Sequence, residues 1–310
     1  MNFNKFFVRY ENKITLTESF KLLLLAIPFI IFVFAFAYVP LFGWAYSFFE
    51  YKPGTPLADT AFVGLKYFFK VFRDWKELAR VLRNTLIMSS LGLLSSPLPV
   101  VFAILLNEIK GKRFKKLVQT TTTLPNFISW IIVYSIVFSI FSADGLFNAL
   151  KAKLGMSPAA VNILGNVDLV WLFQWSIGIW KGLGWSVIIY LAAIAGVDGE
   201  LYDAAKVDGA NRFQSIIHIT VPGLMPTYFV LLLLGISNIL NSGFDQYFVF
   251  YNPMVSSKIE VLDYYVYKIG ILSNDYPFSI ALGMYKSFIG IALLFTANAV
   301  SKKVRGQTIV

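Results

Sequence analysis

The chain carries a series of long apolar runs, and the first of them, Leu22 to Phe49, contains no charged residue at all. In lipid no water is available to satisfy backbone N–H and C=O groups, so a run of this length crosses as a helix. Further runs cover 84–106, 117–141, 169–195, 224–241 and 278–300, and the first span is drawn at 21–49. With 57% hydrophobic and 14% charged residues and a mean hydropathy of +0.66, this much apolar surface cannot be hidden in a soluble core of 310 residues. The fold class is therefore an all-α, multi-pass membrane protein with about six transmembrane helices, and the lipid bilayer is its solvent. Ala35-Phe36-Ala37 imitates a signal-peptidase site, but the run stays apolar well past it, which predicts an uncleaved first helix.

The formal charge of +10 invites a nucleic-acid reading. The placement of the basic residues argues against it. The arm 1–20 mixes Lys5, Arg9 and Lys13 with Phe3, Phe6, Phe7 and Tyr10, as suits a membrane interface. The loop 107–116 packs Lys110, Lys112, Arg113, Lys115 and Lys116 together, and the tail 301–310 carries Lys302, Lys303 and Arg305. Cytoplasmic loops accumulate Lys and Arg, so all three segments are expected inside, with both termini cytoplasmic. Segments 50–83, 142–168 and 242–277 then lie outside. The basic content of 50–83 runs against this, but Asp59, Asp74 and Glu77 dilute it, and orientation follows the summed bias. Ser95-Ser96-Pro97 and Pro99 predict a kink in the second span. The absence of cysteine excludes a disulfide framework, a Cys-ligated zinc and a thiol nucleophile, and a single histidine excludes a multi-His metal site.

One polar island between the spans, 196–223, is patterned. Asp198 and Glu200 suit the positive end of a short helix bearing Leu201, Tyr202, Ala204, Ala205 and Val207. Asp208-Gly209 breaks it, since glycine accepts backbone angles that other residues resist. Asn211 with Gln214 has capping-box spacing for a second helix whose Phe213, Ile216 and Ile217 form an apolar stripe, and Pro222 starts the next run. A generic amphipathic loop would instead pair Asp208 with Arg212 along the helix.

The ordered pattern Asp203-Ala204-Ala205, then Gly209, then Ile219 and Val221-Pro222 resembles the cytoplasmic EAA loop of permease subunits of binding-protein-dependent ABC importers. The departures are Asp where Glu is commoner and Val where Leu is commoner before the proline. The resemblance implies the type I ABC importer permease fold, with this loop as the coupling helix that docks into an ATPase cleft. Tyr202, Asp203, Ala204, Ala205, Val207, Asp208, Gly209, Phe213 and Pro222 would carry that contact. Leu124-Pro-Asn-Phe-Ile-Ser-Trp130, Trp180-Lys-Gly-Leu-Gly-Trp185, the segment Gly243 to Pro253 and the segment Tyr264 to Gly270 are similar to the sugar-permease branch that imports oligosaccharides and polysaccharide fragments. The resemblance further implies a second homologous permease subunit, a cytoplasmic ATPase pair and an extracellular or periplasmic solute-binding protein. No Gly-x4-Gly-Lys-Ser/Thr pattern occurs in the chain, so no cofactor is expected here, and ATP and Mg belong to the partner ATPase. No Ser/His/Asp set exists either, so the chain is not expected to be an enzyme; His218 reads as an ordinary loop histidine.

Charged residues within spans are functional candidates because lipid penalises them by about 2.5–3.5 kcal/mol even on lenient scales. Lys181 and Lys286 qualify, each about 24 Å from the cytoplasmic boundary at 1.5 Å per residue, hence at matching depth. Two readings stand for them. They line an outward-facing cavity and bias it toward acidic saccharides, or they snorkel to outer headgroups. Saccharide recognition combines aromatic faces with amides and carboxylates. Asn238, Asn241, Phe244, Asp245, Gln246 and Tyr247 offer that mix, and Trp180 and Trp185 flank Lys181; most such aromatics also suit an interfacial belt. A permease for another solute, or an ion-coupled secondary transporter, is the alternative. The latter predicts inverted repeats and midplane carboxylates, and no repeat is evident.

Overall fold

The computed structural model describes residues 15–156 and 160–305. Most of the arm 1–20, Pro158 and the last five residues of the tail lie outside the described residues. Every regular element among those described is helical, apart from an isolated bridge between Phe49 and Phe62. Among the described residues, six helices are long and apolar enough to cross a membrane.

Helix α1, Thr15–Val33, runs on through a π-helical turn, Phe34–Tyr38, and a tight 3₁₀ stretch, Val39–Phe48. No side chain from Phe20 to Tyr38 is buried, so this span offers apolar surface on all sides, as contact with lipid or another helix demands. After the short α2, Lys66–Arg73, comes α3, Trp75–Leu94, which begins nine residues ahead of the apolar run that marks it in the sequence. Its first turns are amphipathic rather than apolar, with Leu78 and Val81 buried and Glu77 and Arg80 turned to polar partners. At Ser95-Ser96 the helix breaks, and α4, Pro97–Glu108, restarts with proline in its first turn, where the missing N–H costs nothing.

The run read as one span over 117–141 is two helices. α5, Lys112–Thr123, ends in a 3₁₀ turn, Leu124–Phe127, and α6, Trp130–Phe141, starts afresh with the Ser129 hydroxyl accepting from the Ile132 N–H. Pro125 lacks an amide hydrogen and so weakens the helical ladder at this point, and the backbone turns extended at Ile128 and Ser129 before α6 begins. α7, Leu146–Lys153, and the long α8, Val170–Ala195, follow. Next come α9, Gly199–Val207, the single turn α10, Arg212–Ser215, a π-helical turn over Ile216–Thr220, and α11, Val221–Ser237. α12, Phe244–Phe250, α13, Ser256–Ile259, and α14, Leu262–Tyr267, precede the closing span α15, Tyr276–Arg305.

The segment 242–277 is not a surface connection. Tyr247, Phe250, Val255, Ile259, Val261 and Tyr264 form one core with Met88, Val133, Val137, Val170 and Ile177, wedged among α3, α6 and α8. Its polar residues are satisfied internally. The Glu260 carboxylate, 1% exposed, accepts from Arg80 at 2.6 Å and from Lys268 at 2.9 Å. Asn84 donates to the carbonyls of Ser257 and Glu260, and the Thr85 hydroxyl accepts from Leu262 N–H at 2.8 Å. Each of these buried groups would cost about 1–3 kcal/mol if left unpaired, so the staple is specific as well as strong. A second core, with Val100, Ala103, Leu106, Val187, Tyr190 and Leu224, joins α4, α8 and α11. The bundle thus has one end rich in connections, tied by Lys70–Asp275 and Lys258–Asp168, and an opposite end carrying α9, where Arg212 faces Glu108.

Candidate transport path and docking loop

The α9 end is locally rigid and chemically open. The Asp198 carboxylate accepts from the Glu200 N–H at 2.9 Å and caps α9. Gly209 takes φ +77°, a left-handed angle that lets Ala210 N–H return to the Ala205 carbonyl at 2.9 Å and ends the helix. Asn211 N–H then donates to Gln214 Oε1 at 2.8 Å while Gln214 N–H donates to Asn211 Oδ1 at 2.9 Å, the reciprocal box expected from the spacing. Tyr202 hydroxyl lies 2.9 Å from Thr220 Oγ1, linking α9 to the base of α11, whose first turn holds Pro222. Asp203 pairs with Lys206 at 2.7 Å on the surface. Arg212 faces Glu108 at 3.8 Å and not Asp208, contrary to the generic-loop pairing. Val207 and Phe213 are 87% and 69% exposed and Ile217 is exposed too, while Ile216 is half-buried, so most of this apolar surface is uncovered among the described residues. Ala204 is exposed and Ala205 half-buried, which leaves the first turns of α9 open to close approach. His218 is exposed with its Nδ1 3.0 Å from the Gln214 carbonyl oxygen, an ordinary intrahelical contact.

Two concavities open within the bundle. The first, about 560 Å³, lies between α3, α8 and α11 and is lined by Ser89, Ser96, Gln174, Asn238, Asn241 and Gln246 together with Trp175, Trp185, Tyr190 and Tyr247. No charged side chain lines it among the described residues. Gln246 Nε2 donates to the Gln174 carbonyl and side-chain oxygens at 2.8 and 2.9 Å, which fixes the amide orientation at the cavity wall. Burial, and after it the Asp263 carboxylate, raises the Tyr247 phenol well above its ordinary range, keeping it a neutral hydrogen-bond donor. The second concavity, about 610 Å³, lies between α11 and α15; Asn238 and Asn241 belong to its wall as well, beside Trp44, Asp263 and Lys286.

Of the sequence-derived path candidates, Trp185, Asn238, Asn241, Gln246 and Tyr247 line the first cavity, and Lys286 lines the second. Phe244 instead packs against Phe248 and Tyr267, with ring centroids 5.0 and 4.9 Å away, and Asp245 and Trp180 are exposed off both walls. Lys181 is in the wall of neither cavity. Its Nζ donates to the backbone carbonyls of Pro125 and Asn126 at 3.2 and 2.8 Å and sits 5.3 Å from the Trp130 ring, with 8% of the residue exposed. The Asn126 carbonyl is freed by the break between α5 and α6, and the Pro125 carbonyl shares its other lone pair with the Ile128 N–H at 3.2 Å, so the lysine holds the break together. The two sequence signatures around Lys181 and Pro125 are therefore one interlocked unit. Gly184 seals it: a Cβ there would stand 2.1 Å from the Thr122 carbonyl oxygen. Gln174, Tyr190 and Asp263 are lining residues beyond the sequence-derived candidates; Gln174 and Tyr190 are uncharged and so fall outside the rule that singles out charged residues in spans, and Asp263 lies in a segment expected outside the membrane.

A multi-pass helical bundle, a capped helix–turn–helix at one end, and two cavities inside, one uncharged and amide-lined and one bearing Lys286 and Asp263, are the frame of a membrane permease. Comparison with known proteins agrees. The chain belongs to the family of inner membrane components of binding-protein-dependent transport systems, whose model matches residues 95–306. Protein LplB of Bacillus subtilis is 39% identical over 286 residues, covering 91% of this chain and 88% of that protein. The polygalacturonan/rhamnogalacturonan transport system permease protein YteP of the same organism is 37% identical over 295 residues, covering 94% and 90%. A chain of a bacterial alginate ABC transporter, crystallised with an alginate pentasaccharide-bound periplasmic protein, superposes with TM-score 0.83 at 31% identity, covering 94% of this chain and 97% of that one.

Proposed function

We propose that this permease is one of two homologous transmembrane subunits of an ABC importer that carries oligosaccharides, including acidic polysaccharide fragments, toward the cytoplasm. The observation that carries the reading is the α9–α10 unit: a short helix locked by caps at both ends, with Val207 and Phe213 exposed, built onto one end of a membrane-spanning bundle. A cytoplasmic ATPase pair holds ATP and Mg and grips this unit; closure of the pair moves it as a rigid lever and swings the spans between two access states. The α9 end is then cytoplasmic, in keeping with Lys110, Lys112, Arg113, Lys115 and Lys116 at the same end, and the connection-rich end receives a solute-binding protein. The neutral amides and hydroxyls beside Trp175, Trp185 and Tyr190 suit sugar hydroxyls and ring faces. The substrate class rests on what YteP and the alginate transporter are named for.

The test is co-purification of the complex in detergent. Wild type is compared with Gly209→Pro/Asp203→Arg, followed by ATPase assays with binding protein and candidate oligosaccharides. Retention of an ATPase by wild type and its loss from the variant supports the reading, and the stimulating saccharide identifies the cargo. No ATPase bound to wild type, even with the second permease co-expressed, refutes it.

A further inference from the structure

Three charged clusters lie within the bundle, and they differ in what they face. Lys181 is held by backbone carbonyls. Glu260 is enclosed between Arg80 and Lys268. Lys286 and Asp263 pair with each other, yet their side chains keep 19% and 15% exposure, and both line the cavity between α11 and α15. Asn238 and Asn241 border this cavity and the uncharged one alike, so a ligand bonded to those amides has the Lys286 amine in the same concavity.

An ion pair at this depth is poorly explained by stability alone. Well-packed apolar residues in place of such a pair are commonly as stable or more so. What a Lys–Asp pair facing a cavity offers is exchange. A ligand carboxylate can replace the Asp263 carboxylate on the ammonium with little net change in charge burial, whereas the hydroxyls of a neutral sugar cannot compete with an anion for it. Without Asp263 the lone ammonium would stand uncompensated at the wall.

We propose that Lys286 and Asp263 form a carboxylate-exchange site for a uronic acid residue of the cargo, Lys286 taking the sugar carboxylate and Asp263 holding the amine between transport events. The proposal rests on the saccharide-import reading above and adds the residue pair that sets charge preference.

The test uses the complete complex in proteoliposomes: both permeases, the ATPase pair and the binding protein. ATPase stimulation is titrated with binding protein loaded with an oligogalacturonide, for wild type, Asp263→Asn and Asp263→Asn/Lys286→Gln, with assembly and basal ATPase rate as folding controls. Exchange predicts that Asp263→Asn responds at wild-type concentrations or lower. The double variant then needs about tenfold to hundredfold more loaded binding protein, the range for loss of a charge-assisted contact. A purely structural pair predicts the reverse order, because Asp263→Asn leaves a lone buried cation and the double variant does not; that order, or equal responses, overturns the proposal. Wild type stimulated by a neutral oligosaccharide but not by the uronate also overturns it. Wild type stimulated by no saccharide at all refutes the import reading itself.

Discussion

Replacing Gly184 by alanine tests whether the seam between α8 and the broken third span is as tight as its geometry implies. A Cβ at that position would lie 2.1 Å from the carbonyl oxygen of Thr122, 2.3 Å from its carbon and 2.6 Å from the nitrogen of Thr123, all backbone atoms that cannot rotate aside. Restoring a contact of about 3.5 Å means opening the seam by more than 1 Å, at about 1–3 kcal/mol for an overpacked core. The same motion lengthens the bonds from Lys181 to Pro125 and Asn126, since one turn of α8 separates them from Gly184. Against this, alanine in a helix interior gains about 1 kcal/mol over glycine. Gly182 isolates the second effect, because a Cβ there meets nothing within 4 Å. Gly182→Ala should therefore raise the temperature at which the detergent-solubilised complex loses assembly, and Gly184→Ala should lower it. The readout is size-exclusion chromatography after stepwise heating. If the two variants shift in the same direction, the close approach of α8 to Thr122 is not a feature of the folded protein and the account of the Lys181 unit fails.

Lys181→Met removes two charge-assisted bonds and leaves the Asn126 carbonyl without this partner, the Pro125 carbonyl keeping the Ile128 N–H, while also relieving the burial of a charge. A net loss of about 1–3 kcal/mol is expected in the same heating assay, with little change in the sugar concentration dependence of ATPase activity. Glu260→Leu strands Arg80 and Lys268 beside an apolar side chain; limited proteolysis between 250 and 275 should accelerate at least several-fold, at a cost of about 2–4 kcal/mol. Asn238→Ala with Asn241→Ala should raise the half-stimulating concentration of saccharide-loaded binding protein by about tenfold without altering assembly, since both amides line the cavities and the bonds they lose, to each other and from Asn238 to the Leu234 carbonyl, are local to the end of α11.

Some of the site was legible residue by residue. The capping box at Asn211 and Gln214 is local chemistry over four positions, and it formed as its spacing predicts. Gly209 needed nothing beyond the intolerance of other residues for positive φ, and φ is +77° there. Lys181 and Lys286 look alike in the sequence, a lysine in a span at matching depth, yet one holds a helix break and the other faces a cavity beside an acid. Their difference lies in what stands opposite: Pro125 and Asn126 for Lys181, 56 and 55 residues away, and Asp263 for Lys286, 23 residues away. Sequence spacing carries no information about either meeting.

The amino-acid sequence alone determined that this chain is a six-span helical membrane protein with a patterned polar helix–turn–helix between two spans, because hydropathy, capping and glycine angles act over one helix length or less. Tertiary structure alone decided that 242–277 is core, that the third span is two helices clamped by Lys181, and that the first cavity is uncharged while the second carries a Lys–Asp pair. Those outcomes depend on which surfaces meet. In a chain where lipid makes nearly every helix face apolar, helix packing is chosen by a few polar contacts and close glycine approaches between distant residues.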